Sequence, residues 1–236
     1  MTRLQLDNVS THYGTSHILF DISLEVTEGE VVCLLGRNGA GKTTTIKTIM
    51  GLAKASGGSI TFDGRNLRGL QPYDIARLGI GFVPDDRLIF PDLTVRENLE
   101  IARKKGPSTQ VPEWTVDRVY ELFPVLADLD GNLGGYLSGG EQQMLTVGRT
   151  LMGNPSLLLL DEPVEGVAPI VVRELGNQIV KLREMGLTIL LAEQNIEFAT
   201  RISDRAYIIE KGAIRYRGSI DDLSRQQDVK EKYLMI

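Results

Sequence analysis

Hydrophobic and polar residues alternate near the start of the chain, where Leu4 and Leu6, and then Ile22, Leu24 and Val26, stand two apart. A period of two marks strands with one buried face, so this segment predicts antiparallel strands, with Glu28-Gly29 as the turn after the second. They read as an edge sheet outside the main core. Three later runs, Val31 to Leu35, Leu157 to Leu160 and Thr188 to Ala192, are almost continuously apolar. Strands covered on both faces lose the alternation, so these runs predict parallel strands flanked by helices. A helical pattern follows each of them, at Lys42 to Met50, Pro169 to Met185 and Asn195 to Ile202. Strand then helix, repeated, predicts an α/β core.

A long excursion separates the first two buried runs. Gly57-Gly58 and Asp63-Gly64 punctuate a further hairpin, and Pro91 to Gly148 reads mostly helical. The whole chain, 1–236, is therefore expected to be one domain: a core with a β subdomain, about 1–87 and 149–236, and an inserted helical subdomain, about 88–148. Lys104 to Pro112, with Gly106, Pro107, Ser108 and Thr109, is expected to be a surface loop.

Composition narrows the function more than the fold. With 236 residues, 42% hydrophobic and 24% charged, the chain can bury a large core. A formal charge of −5 gives no basic footprint for a phosphodiester backbone, so no nucleic-acid partner is expected. Cys33, the only cysteine, lies in an apolar run and reads as core; His12 and His17 lack ligand spacing. Met1 to Leu6 does not begin a signal segment, and no apolar run approaches the roughly 18 residues of a membrane span. If the protein works at a membrane, something else must span it.

Gly36-Arg37-Asn38-Gly39-Ala40-Gly41-Lys42-Thr43 fits G-x-x-x-x-G-K-[ST] and lies between an apolar strand and a helical pattern, as a P-loop requires. Glycines let successive N–H groups face phosphate oxygens, and the helix that follows, which includes Thr44, directs its positive end at the same place. Lys42 supplies charge to the β- and γ-phosphates and Thr43 a hydroxyl to Mg²⁺, which makes ATP and Mg²⁺ the expected ligands. Leu157 to Leu160 ends in Asp161-Glu162. Asp161 is expected to serve Mg²⁺ and Glu162 to polarise the attacking water.

Leu137-Ser138-Gly139-Gly140-Glu141-Gln142-Gln143 is the most discriminating segment, and through it the chain resembles the ATP-binding-cassette family, whose signature reads LSGGQ or LSGGE. The resemblance spans essentially the full length. It implies a P-loop NTPase core with an antiparallel β subdomain and an inserted α-helical one. It also implies a dimer of ATPase subunits, paralogous or identical, in which Ser138, Gly139, Gly140 and Glu141 serve the ATP on the partner's P-loop. Tyr13 matches the aromatic that stacks on adenine. Two positions depart from the family pattern. Asp85, in Val83-Pro84-Asp85, stands where glutamine is usual, and Gln194 stands where histidine commonly meets the γ-phosphate. Asp85 can still offer an oxygen to Mg²⁺, and Gln194 can donate a hydrogen bond but cannot titrate. Slower or differently coupled hydrolysis is expected, with no inflection of the rate near the histidine pKa of about 6.5.

Phe90 to Leu99, Ser138 to Leu145 as SGGEQQML, Gly166 to Pro169 as GVAP, and Glu193-Gln194-Asn195 look like the shorter ATPase of branched-chain amino acid importers. Ser16 to Leu19 and Val164-Glu165-Gly166 lean toward the urea-importer relative. By resemblance the partners are two integral membrane permease subunits and, indirectly, an extracytoplasmic solute-binding protein, with the chain at the cytoplasmic face of the plasma membrane. The segment from Phe90 to Val111 is expected to transmit motion to the permeases. An ATP-sensing clamp with weak hydrolysis is the alternative that Asp85 and Gln194 suggest. A DNA-repair or translation cassette would carry a long coiled-coil insertion or a second cassette, and neither is found in the sequence.

Overall fold

The computed structural model describes residues 1–104 and 113–233. Two long N-terminal strands, β1 (Thr2–Tyr13) and β2 (Ser16–Thr27), pair antiparallel, and β4 (Ala55–Phe62) with β5 (Arg65–Asn66) completes a four-stranded sheet in the order β2-β1-β4-β5. Asp63-Gly64 makes the two-residue hairpin, both with positive φ, as the sequence predicts. Gly57-Gly58 instead lies inside β4, where its register with β1 slips between Asp7 and Ser10; the pair marks a bulge, not a turn.

The second sheet has six strands, β3 (Val31–Leu35), β6 (Ile80–Val83), β7 (Leu157–Asp161), β8 (Thr188–Glu193), β9 (Arg205–Glu210) and β10 (Ala213–Ser219). Their order is β10-β9-β3-β8-β7-β6, parallel except at β10. The three apolar runs occupy its centre, because only a strand covered on both faces gains from being apolar at every position. Successive residues divide between two cores. Val31, Cys33 and Leu35 face one with Leu158, Leu160, Ile189 and Leu191. Val32 and Leu34 face the other with Leu157, Leu159 and Leu190.

That second core contains Leu4, Leu6, Ile22, Leu24 and Val26, all nearly or fully buried. The N-terminal sheet is therefore a wall of the core, contrary to its reading as a peripheral edge. Alternation reports that one face is covered, but not by what.

Helix α1 (Lys42–Ile49) follows β3, and α2 (Pro72–Arg77) precedes β6. Between β6 and β7 lie α3 (Val95–Glu100), α4 (Val116–Leu122), α5 (Pro124–Asp128) and α6 (Gly139–Leu151). Only α6 is long; the others are single turns or pairs of turns. The expected subdomain division at 148 falls within α6, whose Thr150 hydroxyl donates to the Phe82 carbonyl of β6 at 3.4 Å. The expected loop lies, from residue 105 to 112, outside the described residues, as does the far end of the Phe90 to Val111 segment. After β7 and β8 come α7 (Pro169–Glu184) and α8 (Ile196–Ile202), close to the predicted limits, and the chain continues into α9 (Ile220–Arg225) and α10 (Gln227–Tyr233). Among the described residues no helix is long and apolar enough to cross a membrane.

Candidate nucleotide site

The P-loop bridges the C-terminal end of β3 and the start of α1. Its first glycine is fixed by contact: a Cβ on Gly36 would sit 2.6 Å from the Ile209 carbonyl oxygen. Gly41, with φ of 115°, begins α1 in a conformation closed to most residues, and no side chain caps the helix. Arg37, Asn38 and Gly39 are exposed, Ala40 is buried, and Thr43 and Thr44 are half-buried. The loop thus presents open backbone at a helix start, the arrangement that accepts phosphate.

Lys42 is 3% exposed. Its ammonium donates to the carbonyls of Gly36 at 2.7 Å and Arg37 at 3.1 Å, and it pairs with Glu162 at 3.0 Å. Those three contacts satisfy a buried cation, and an incoming phosphate would compete for it. Glu162 follows β7 with φ of 46°, and its N–H donates to the Ala192 carbonyl at 2.9 Å. A non-glycine residue in the left-handed region is uncommon and here turns the chain away from the sheet immediately after Asp161.

Thr43 donates its hydroxyl to Asp161 Oδ1 at 3.1 Å, while Asp161 Oδ2 is buried with no hydrogen-bond partner. Burial raises the Asp161 carboxyl to about 6, opposed by the Thr43 hydrogen bond and reinforced by the charges of Asp85 and Glu162. An orphaned carboxylate oxygen, a neighbouring hydroxyl and the nearby Asp85 charge fit a hard divalent cation. Among the described residues no group of three or more His, Cys, Asp or Glu side chains forms a metal centre.

Asp85 and Gln194 are both exposed, on the turns after β6 and β8. Asp85 lies near enough to Asp161 for its charge to be felt there. Tyr13, exposed at the β1–β2 hairpin, pairs across it with Ser16. On the same hairpin His12 and His17 stack at 4.0 Å between centroids, with His12 Nδ1 2.9 Å from the Ser56 hydroxyl, in keeping with surface roles.

Ser138 to Glu141 form the start of α6. Ser138 accepts from the Glu141 N–H at 3.4 Å, and the Glu141 carboxylate accepts from the Ser138 N–H at 2.7 Å, a complete capping box. The segment meets the P-loop side of the molecule through Arg87, which the sequence reading overlooked. Its guanidinium lies against Gly139 and donates to the Glu165 carbonyl at 3.1 Å, while its own carbonyl accepts from Thr146 of α6. The Glu165 carboxyl, hydrogen-bonded to that of Glu162, is held above the usual range by that bond and charge.

A second oversight is Glu193, 1% exposed at the end of β8. Burial raises its carboxyl to about 7. The expectation that the rate lacks an inflection near the histidine pKa concerns Gln194, which cannot titrate; beside it, Glu193 is a further carboxyl raised into that range. Its signal in the sequence was an acid ending an apolar strand, as in β7.

A family model described as "ABC transporter" matches residues 19–165, more than half of the chain. The chain is 44% identical over 233 residues to the high-affinity branched-chain amino acid transport ATP-binding protein BraG of Pseudomonas aeruginosa, covering 98% of this chain and 99% of that protein. It is 36% identical to the lipopolysaccharide export system ATP-binding protein LptB of Haemophilus influenzae, with 99% and 98% covered. A crystal structure of a nucleotide-free ATP-binding cassette from an ABC transporter superposes with a TM-score of 0.83 at 27% identity, covering 98% of each chain.

Proposed function

The chain belongs to the ABC transporter family as an ATP-hydrolysing, ATP-binding subunit, and from that premise we propose that it powers an importer of branched-chain or other hydrophobic amino acids. Subunits of this family act as dimers with membrane-spanning permease partners. The observation that carries the cargo reading is the 44% identity to BraG across nearly the whole of both chains. The lipopolysaccharide export relative has the same coverage at 36%, so the reading rests on the margin between them and on the GVAP and EQN segments of this sequence.

In the mechanism we infer, ATP enters over Gly36 to Thr44, with Tyr13 against the base. Lys42 exchanges the Gly36 and Arg37 carbonyls and Glu162 for phosphate oxygens. Thr43 and Asp161, with Asp85 nearby, would hold Mg²⁺, which supplies neutralising charge to the phosphates. Release from Lys42 leaves the Glu162 carboxylate able to accept a proton from water. Gln194 donates toward the γ-phosphate. Ser138, Gly139, Gly140 and Glu141 complete the site of a second ATPase subunit, and Arg87 ties that segment to the Glu162–Glu165 turn of its own chain. The subunit works at the cytoplasmic face of the membrane, and the extracytoplasmic receptor is reached only through the permeases.

The test is to purify the chain with its membrane partners, reconstitute them in vesicles, and measure ATP-dependent uptake of leucine, urea and glycine. Leucine uptake is expected. Uptake of urea alone, or co-purification with a lipopolysaccharide-extracting permease, would replace the cargo assignment. Tight ATP binding without phosphate release from the full assembly would favour a sensing clamp.

A further inference from the structure

Glu193 holds together parts of the site that lie far apart in sequence. Its Oε2 accepts the N–H groups of Gln194 and Asn195, each at 3.0 Å. Its carbonyl accepts the Gly36 N–H at 3.2 Å, and that of the preceding Ala192 accepts the Glu162 N–H at 2.9 Å. The other carboxylate oxygen, Oε1, is buried without a partner.

Helix capping does not explain the residue. Helix α8 already has a cap, since the Asn195 side chain accepts the Phe198 N–H at 2.9 Å. Nor does stability, because a buried carboxylate with one unpaired oxygen is costly, and a neutral side chain of the same shape would avoid that cost. We propose that Glu193 is a positioning residue: its carboxylate fixes the Gln194–Asn195 turn on a strand end that backbone bonds tie to Gly36 of the P-loop and to Glu162, so that Gln194 keeps one geometry relative to both. This inference deepens, and rests on, the assignment of Lys42, Glu162 and Gln194 to hydrolysis.

The charged or titratable groups that act on or with Glu193 are Cys33 from β3 and Glu162 beyond β7; its own turn contributes the Gln194 and Asn195 amides. Burial dominates and raises the carboxyl to about 7; the amide bonds oppose this, and the Glu162 charge adds to it. Protonation would weaken its hold on both amides.

The experiment compares full-length wild type, Glu193→Gln, Glu193→Asp and Glu162→Gln for Mg-ATP turnover across pH, affinity for a non-hydrolysable ATP analogue, and thermal stability. Glu193→Gln is expected to lower kcat at least about tenfold, through displaced reacting groups, with analogue affinity within about threefold. The raised Glu193 carboxyl predicts a bend in wild-type turnover near pH 7 that the variant should lack, and at about pH 8 the variant should melt no lower than wild type, since it removes a buried charge. Glu193→Asp, which keeps the carboxylate, should recover part of kcat. Turnover of Glu193→Gln within about twofold of wild type would overturn the proposal, as would a parallel fall of kcat, affinity and melting temperature. If Glu162→Gln is inactive while Glu193→Gln is normal, the positioning role alone fails. Normal turnover of Glu162→Gln would remove the underlying assignment.

Discussion

Two helices of this protein start at motifs read as phosphate sites, and they start in opposite ways. Helix α1 begins at left-handed Gly41 with no side-chain cap and no acid in its first turn, so its N–H groups and dipole are open to an anion. Helix α6 begins with the Ser138–Glu141 capping box, so two of its orphan donors are already satisfied and a carboxylate occupies its first turn. The first start is prepared for a ligand by its own chain. The second is stable alone, and what it still offers is the Ser138 hydroxyl proton and the remaining N–H groups. On the proposed reading, in which the P-loop binds and the signature completes a partner's site, affinity should reside in the P-loop and coupling between subunits in the signature.

The largest expected effect lies on the P-loop side. Glu162→Gln should reduce phosphate release about 10²-fold or more while ATP binding persists, the loss typical of removing a general base. Unchanged release would take Glu162 out of that role. Asp161→Asn should alter stability in a direction fixed by its carboxyl. The folded protein holds the Asp161 proton up to about 6, against an ordinary value of 3.8, so the wild type loses stability as pH rises through that window. Without metal or nucleotide, the variant should therefore be the more stable above about pH 6, by at most about 3 kcal/mol, with the gap closing toward acid. Equal melting temperatures at high and low pH would show that Asp161 is not buried as a charge.

Lys42→Ala should weaken ATP binding by about ten- to a hundredfold, the scale of one charged hydrogen bond of roughly 1.5–3 kcal/mol, in a nucleotide-affinity assay. Ser138→Ala is the sharpest test of the contrast, though it has the smallest effect on the chain itself. Loss of the cap should cost about 1 kcal/mol of stability and leave ATP affinity unchanged, while turnover that rises with subunit concentration should fall. A large fall in ATP affinity on Ser138→Ala would mean that α6 also serves its own chain's nucleotide.

The three apolar runs and their helices were legible because burial on both faces leaves a strand no alternative to apolar residues. The P-loop and signature were legible because their chemistry is local, confined to one loop and one helix start. β6, β9 and β10 were not foreseen: β6 has only four residues, β9 carries a brief apolar stretch between charged ends, and β10 is largely polar and half-covered, which no periodicity marks. Arg87 and Glu193 were overlooked because partners of theirs, Gly139 and Glu165 for one and Gly36 for the other, are distant in sequence.

By itself, then, the sequence determined which segments could bind phosphate and which strands had to be central, since glycine geometry, charge and hydrophobic period act over a few residues. Tertiary structure alone decided that the N-terminal sheet would wall the second core, that Lys42 would pair with Glu162, and that Glu193 would be buried at the end of β8. Those outcomes depend on long-range packing, which sets the distances between charges and the water left around them.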